Sequence, residues 1–311
     1  MYVEKRKIGS KIKYYLVHSY REKNKVRKIR KYLGQNLTRH ELEEARNKAK
    51  KHVLELLEEL NTEIFFFTLT KNQINKLNES DEKIKITHFD QREWQRFTEE
   101  FVYNTNAIEG STIQREEVPE ILHKQKVSDA EELETKGVAK AVEYIRNTKD
   151  DLSIDLIKKL HDICFKGSKS FAGQIRKVEV AVMNSRGEIL HQGMSFLQLN
   201  SALKDMVSWY KENKSKFKPL VLAAIIHNQF EYIHPIQDGN GRVGRLLLNF
   251  ILLKNKYPPI NITFGDRAEY YMTLQEYQKN QNLKPTLKPT VEFLVKQYKK
   301  TLKEVTTRKN R

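Results

Sequence analysis

The sequence predicts a mainly α-helical protein, a helical bundle with one β-hairpin and a small basic β-rich module at the N-terminus. Three observations predict it. Residues 2–33 mix β-branched and aromatic residues with Lys and Arg, residues 39 to about 150 carry apolar residues at helical spacing, and two stretches of the second half are too apolar for a surface.

The first 36 residues read as a hairpin or three-strand meander. The run Lys11-Ile12-Lys13-Tyr14-Tyr15-Leu16-Val17 is followed by a turn at 22–25 and a second run at 26–33. Twelve Lys or Arg stand against Glu4 and Glu22 within residues 1–33, so a net of +10 out of the chain's +17 belongs to this module. Tyr interleaved with Lys and Arg suits a nucleic acid, through phosphates and stacking, and makes it a candidate partner of residues 1–33. Lys along a strand also guards an edge against pairing, and both readings stand. Gly34 opens a break, Thr38 or Asn36 caps a helix over 39–60, and a further break is expected near 78–81, so that residues 37–90 form a helical linker region. A basic tail is expected at 301–311.

No apolar run approaches the roughly 20 residues that cross a bilayer, and the N-terminus lacks a secretory pattern. The chain is expected to be cytoplasmic, with no membrane partner. Cys164, the only cysteine, excludes a disulfide framework and a cysteine zinc cage. It falls in the helical pattern Leu156, Ile157, Leu160, Ile163 and reads as a core residue.

The two apolar stretches are Pro219–Ile233 and 243–253, and the segment 234–242 between them is almost entirely polar or glycine. Held near a core, an unpaired polar group costs about 1–3 kcal/mol. A capped turn explains Asp238, Gly239 and Asn240, but not a His, an acid and two Arg crowded together. An anion site explains them all. Gly239 and Gly241 let the backbone approach a ligand, and the following helix points free N–H groups at the loop. Arg242 and Arg245, three residues apart on its first turn, reach the same polyphosphate. Asp238 is a hard oxygen donor suited to Mg²⁺, and His234 titrates near neutral pH. On the preceding helix, His227 reads as a structural histidine and Glu231 as a residue that orients the loop.

Residues 234–245, HPIQDGNGRVGR, resemble the signature of the Fic domain, HPFx(D/E)GNGRxxR, departing only at Ile236, where the family usually has phenylalanine. The resemblance covers roughly residues 90–300. It implies a Fic-type helical bundle over 91–300 and transfer of AMP from ATP to a Ser, Thr or Tyr hydroxyl of a target protein. In that scheme His234 is the general base and Asp238 holds Mg²⁺. Gly239, Asn240 and Gly241 line an anion hole, and Arg242 and Arg245 bind the β- and γ-phosphates. Residues 105–110, TNAIEG, look like the family's inhibitory motif (S/T)xxxE(G/N), placed on a helix over about 94–110. Glu109 would there face Arg245 and hold ATP in an unreactive pose.

The segment FAGQIR at 171–176 leads into alternating Val178, Val180 and Val182, a turn at 184–187 and a second strand at 188–191. With Arg176, this hairpin is similar to the flap that registers the target in the family. Tyr270, Tyr271 and Leu274 resemble its adenosine-side residues. Two alternatives remain open: a nucleic-acid-associated regulator using the Fic core as a nucleotide sensor, and an enzyme that removes AMP. A homodimer is also open, and the target is not written in the sequence.

Overall fold

The computed structural model describes every residue except 23–24, 60–61, 66, 128, 184–185, 279–285 and 307–311. The chain clusters into two units, Met1–Ile74 and Asn75–Arg311.

In the first unit, strands β1 (Tyr2–Ile8), β2 (Lys11–Glu22) and β3 (Lys25–Gln35) form an antiparallel meander with β2 in the centre. Val3 lies opposite Leu16, and Leu16 opposite Lys31. Helix α1 (Arg39–Glu59) covers the sheet: Ala49 and Val53 pack with Leu16, Ile29 and Leu33. Thr38 and Glu41 cap it reciprocally, since Glu41 N–H donates to the Thr38 hydroxyl and Thr38 N–H to the Glu41 carboxylate. Asn36 instead ties back to Ile12. The turn expected at 22–25 falls partly outside the described residues.

A short hairpin, β4 (Thr62–Ile64) with β5 (Phe67–Leu69), interrupts the helical stretch expected here. Strands of three residues are too short to show a period of two, and the aromatic cluster around them passes equally for helix. Helix α2 (Lys71–Asn78) follows and gives way to a 3₁₀ turn, Glu79–Lys83, near the expected break.

The second unit comprises α3 (Gln91–Ile108), α4 (Val118–His123), α5 (Ala130–Asn147) and α6 (Ile154–Phe165), then the hairpin β6 (Ala181–Met183) and β7 (Ile189–Gln192). After it come α7 (Leu199–Asn213), α8 (Pro219–Ile233), α9 (Asn240–Lys254), α10 (Arg267–Gln278) and α11 (Lys288–Thr306). The last helix runs through 301–306, where a tail is expected from sequence, and 307–311 lie outside the described residues. Its buried Thr301 and Val305 hold it to the core.

Helix α8 is buried along nearly its whole length and packs against α9, which in turn meets α3, α5 and α6. Pro219 starts α8 where an N–H would have no partner. Among the polar residues inside it, Asn228 donates to Ala224 and Thr290. Cys164 is buried on α6 with its thiol pushed up to about 12 by burial. Among the described residues no helix is long and apolar enough to cross a membrane.

The first hairpin strand is shorter than the 177–183 expected from alternating valines. Val178 gives its carbonyl to the Arg176 guanidinium and Val180 gives its own to Gly193, so pairing with β7 begins only at Ala181.

Candidate active site

Helix α8 ends at His234, whose backbone takes the left-handed conformation with φ 52°. A non-glycine residue held there is strained, and such strain persists only where neighbours enforce it. Two contacts do so: His234 N–H donates to Phe230, and its carbonyl accepts Arg176 Nε at 2.8 Å. The Arg176 guanidinium is buried and also donates to Val178 at 2.6 Å and to Met194, while its backbone N–H donates to Pro235. One side chain therefore ties the hairpin base to the end of α8.

The rest of the loop is closed by Asn240, whose Oδ1 accepts from Ile236 N–H at 2.9 Å and whose Nδ2 donates to Ile236 O at 2.7 Å. Both polar atoms of this side chain thus bond to the Ile236 peptide and hold the loop closed. Ile236 itself is buried and anchors the loop. Gly239 caps α9 with φ 94°, and a Cβ there would lie 2.4 Å from the Phe165 ring. At Gly241 a Cβ would lie 2.3 Å from Glu109 Oε1, so glycine lets the Glu109 carboxylate reach the start of α9.

His234 Nδ1 lies 3.3 Å from the Glu231 carbonyl. A carbonyl only accepts, so Nδ1 carries the proton and Nε2 is left with its lone pair. Burial, then the neighbouring His191 ring at 5.8 Å, push the His234 pKa down to about 4, so the imidazole is neutral at pH 7. His191 Nε2 donates to Tyr232 O at 3.0 Å and holds that second ring in place.

Arg245 is buried, with Nη2 2.8 Å from Glu109 Oε1 and 2.9 Å from Thr105 O, and Nε 2.7 Å from the Thr105 hydroxyl. Burial opposes its charge, but Glu109 outweighs that and its pKa is raised. Glu109 is the C-cap of α3, a helix started by an Asp90–Glu93 capping box and followed by Gly110 at φ 91°. Arg242 pairs with Glu134 and lies 4.3 Å from the centre of the Phe165 ring. Asp238 pairs with Lys169 at 2.8 Å, and burial is outweighed by Lys169 and Arg242, leaving its carboxyl below the ordinary range. His161 accepts from Gly173 N–H at Nδ1 and donates from Nε2 to Asp238 O, fixing the Asp238 backbone as well.

A cavity of about 320 Å³ collects His234, Glu231, Gly241, Arg245, Glu109, Val182, Met183, Leu190, His191, Tyr270, Tyr271 and Leu274. Val178 and Val180 do not line it, and Asp238 and Arg242 are joined in the separate ion network. Tyr270 is buried with its hydroxyl 2.8 Å from His227 Nε2, and Tyr271 donates to Ile108 O at 3.2 Å. His227 is a buried histidine with pKa lowered to about 3 by burial. Glu231 is buried with Oε1 unpartnered, and burial raises it to about 8.

Glu134, Lys169 and His191 escape the motif reading. Glu134 had a signal: it lies in one stripe with Val138, Ala141 and Ile145, a charge on the apolar face of α5. Lys169 and His191 sit in a loop and a short strand without a period to betray them.

With this geometry in hand, comparison with known proteins places the loop. The profile of the Fic/DOC family matches residues 151–252, which include His234 and the whole of 234–245. Residues 151–252 match the Fic domain. Protein adenylyltransferase fic-1 of Caenorhabditis elegans is 32% identical over 185 residues, 56% of this chain and 35% of that relative. The chain thus spans about a third of that relative's length. A solved structure of C. elegans Fic-1 is 25% identical with a TM-score of 0.58, over 88% of this chain and 79% of that one. A Fic-domain signalling protein from Bacteroides thetaiotaomicron, 24% identical, shares the fold with a TM-score of 0.62 over 75% and 97%. The Fic fold here is mainly α, as expected from sequence.

Proposed function

We propose that this Fic protein is an adenylyltransferase that moves AMP from ATP to a Ser, Thr or Tyr hydroxyl of a target protein, and that Glu109 holds it idle. The observation carrying the proposal is a neutral His234 with a free Nε2, in one cavity with the start of α9 and the Arg245 guanidinium. The name of the C. elegans relative supports the reaction class.

In the reaction, the target hydroxyl oxygen bonds to the α-phosphorus as the bond to the bridging oxygen of the β-phosphate breaks. Pyrophosphate leaves and the hydroxyl proton passes to His234 Nε2. Gly239, Asn240 and Gly241 offer backbone N–H groups at the positive end of α9, and Arg242 and Arg245 supply cationic donors for the phosphates. Tyr270, Tyr271 and Leu274 form the wall for the adenosine, and Arg176 fixes the flap above. The target strand is registered along the flap near Val182.

A divalent cation fits Asp238. Its half-exposed carboxylate already holds a cationic group, the Lys169 ammonium. Among the described residues no cluster of three His, Cys, Asp or Glu forms a complete metal cage, which suits Mg²⁺ arriving with its nucleotide. When bound there it neutralises charge on the phosphates.

Glu109 ties up Nη2 of Arg245, which the γ-phosphate needs, so the idle state is the one with this pair formed. The test is incubation of the Glu109→Gly chain with Mg²⁺, cell lysate and ATP labelled at either the α- or the γ-phosphate. Mass spectrometry should find α-label as a hydroxyl-linked AMP. Label arriving from the γ-position would sink the assignment, and loss of AMP from a modified target would favour removal instead.

A further inference from the structure

Asp238, Lys169, Glu134 and Arg242 close a ring of alternating charge. Lys169 Nζ lies 2.8 Å from Asp238 Oδ2 and 3.2 Å from Glu134 Oε1. Glu134 Oε2 takes Arg242 Nη1, and Arg242 Nη2 returns to within 4.0 Å of the same Asp238 oxygen. The ring has a closed side and an open one. The side chains of Arg242 and Glu134 are 8% and 11% exposed, those of Lys169 and Asp238 26% and 48%.

The carboxylate that would receive a divalent cation therefore already carries an ammonium on one of its two oxygens, on the more exposed side of the ring. A free ion approaching Asp238 meets a carboxylate neutralised by Lys169 and feels repulsion from Lys169 and Arg242 together. An ion arriving with a triphosphate meets a different balance, because the phosphates bring negative charge that both cations can face. Lys169 also has somewhere to go, since Glu134 Oε1 is within reach and the ammonium is not stranded when it leaves Asp238. A lysine suits this, being a compact charge on a flexible stem, where a guanidinium would grip the carboxylate with two parallel bonds.

We propose that Lys169 is a positioning residue that occupies the Asp238 carboxylate, so that the site takes a divalent metal as its nucleotide complex and not as the free ion. This rests on the assignment of Asp238 as the metal-holding residue.

The test is direct binding of Mn²⁺ to the full chain, followed by electron paramagnetic resonance, with and without a non-hydrolysable ATP analogue. Lys169→Met should tighten free Mn²⁺ binding by about 1.5- to fivefold, the range expected for removing one partly exposed ion-pair partner. Lys169→Arg should keep the weak binding of the parent, and the gain should vanish in Lys169→Met combined with Asp238→Asn. With the analogue bound, the gap between parent and Lys169→Met should narrow. Lys169→Gln replaces the Met variant if that one does not fold. Equal free-Mn²⁺ affinity in parent and Lys169→Met, while Asp238→Asn abolishes binding of the Mn²⁺–analogue complex, overturns the role of Lys169 and leaves Asp238 standing. Unchanged binding of that complex in Asp238→Asn removes both.

Discussion

Arg245 and Arg242 lie three residues apart on α9, yet the carboxylates that hold them sit in different settings. Glu109 is the C-cap of α3, a quarter exposed, attached through one oxygen to one guanidinium nitrogen. Glu134 is in the body of α5, nearly buried, and serves Arg242 and Lys169 at once. A carboxylate at a helix end can swing away without disturbing the helix, whereas one on the apolar face of α5 can move only with the core. The difference separates a contact suited to release from one suited to permanence.

The largest expected effect tests the chemistry beneath both. His234→Ala should lower AMP transfer by about 10²- to 10⁴-fold, the usual worth of a general base, with binding of the ATP analogue retained. Next comes the contrast itself. Glu134→Ala strands a buried guanidinium and should cost about 3–5 kcal/mol in chemical denaturation. Glu109→Ala should cost much less, because Thr105 still accepts two bonds from Arg245. Equal costs would erase the distinction between the two arginines.

On activity the order reverses. Glu109→Gly should raise transfer by about 10- to 100-fold, the equivalent of one charge-assisted hydrogen bond of roughly 1.5–3 kcal/mol. Glu134→Ala should lower it through Arg242.

The smallest effect is on pH. His161 and His234 sit at about 4 and His227 at about 3, all lowered first by burial. Below the ordinary histidine value of 6.5 the unfolded chain binds protons that the fold refuses, so stability should fall from pH 6.5 toward 4. Glu231, raised to about 8, runs oppositely and withdraws its contribution as pH climbs from 4.5 to 8. Melting temperatures across this range, in the parent and in Glu231→Gln, separate the two slopes.

Much of this was legible in the residues. The apolar run from Pro219 to Ile233 gave α8 without error because nearly every residue in it is buried, and Thr38 was one of two cap candidates for the start of α1. The pairing of Glu109 with Arg245 is one the resemblance of residues 105–110 to the inhibitory motif implied. The role of Asn240 did not follow, because a side chain that can cap, line or stitch is decided by where the neighbouring peptide lies, here that of Ile236. Nor did the loss of strand at 177–180, where one arginine takes a carbonyl that alternation alone assigns to a ladder.

Cys164 has a practical sequel. It is the only thiol in the chain, 1% exposed on α6, and burial keeps it protonated. A thiol-reactive dye should therefore label the protein only when α6 comes away from the core, giving a built-in clock for opening of the domain in every variant described above.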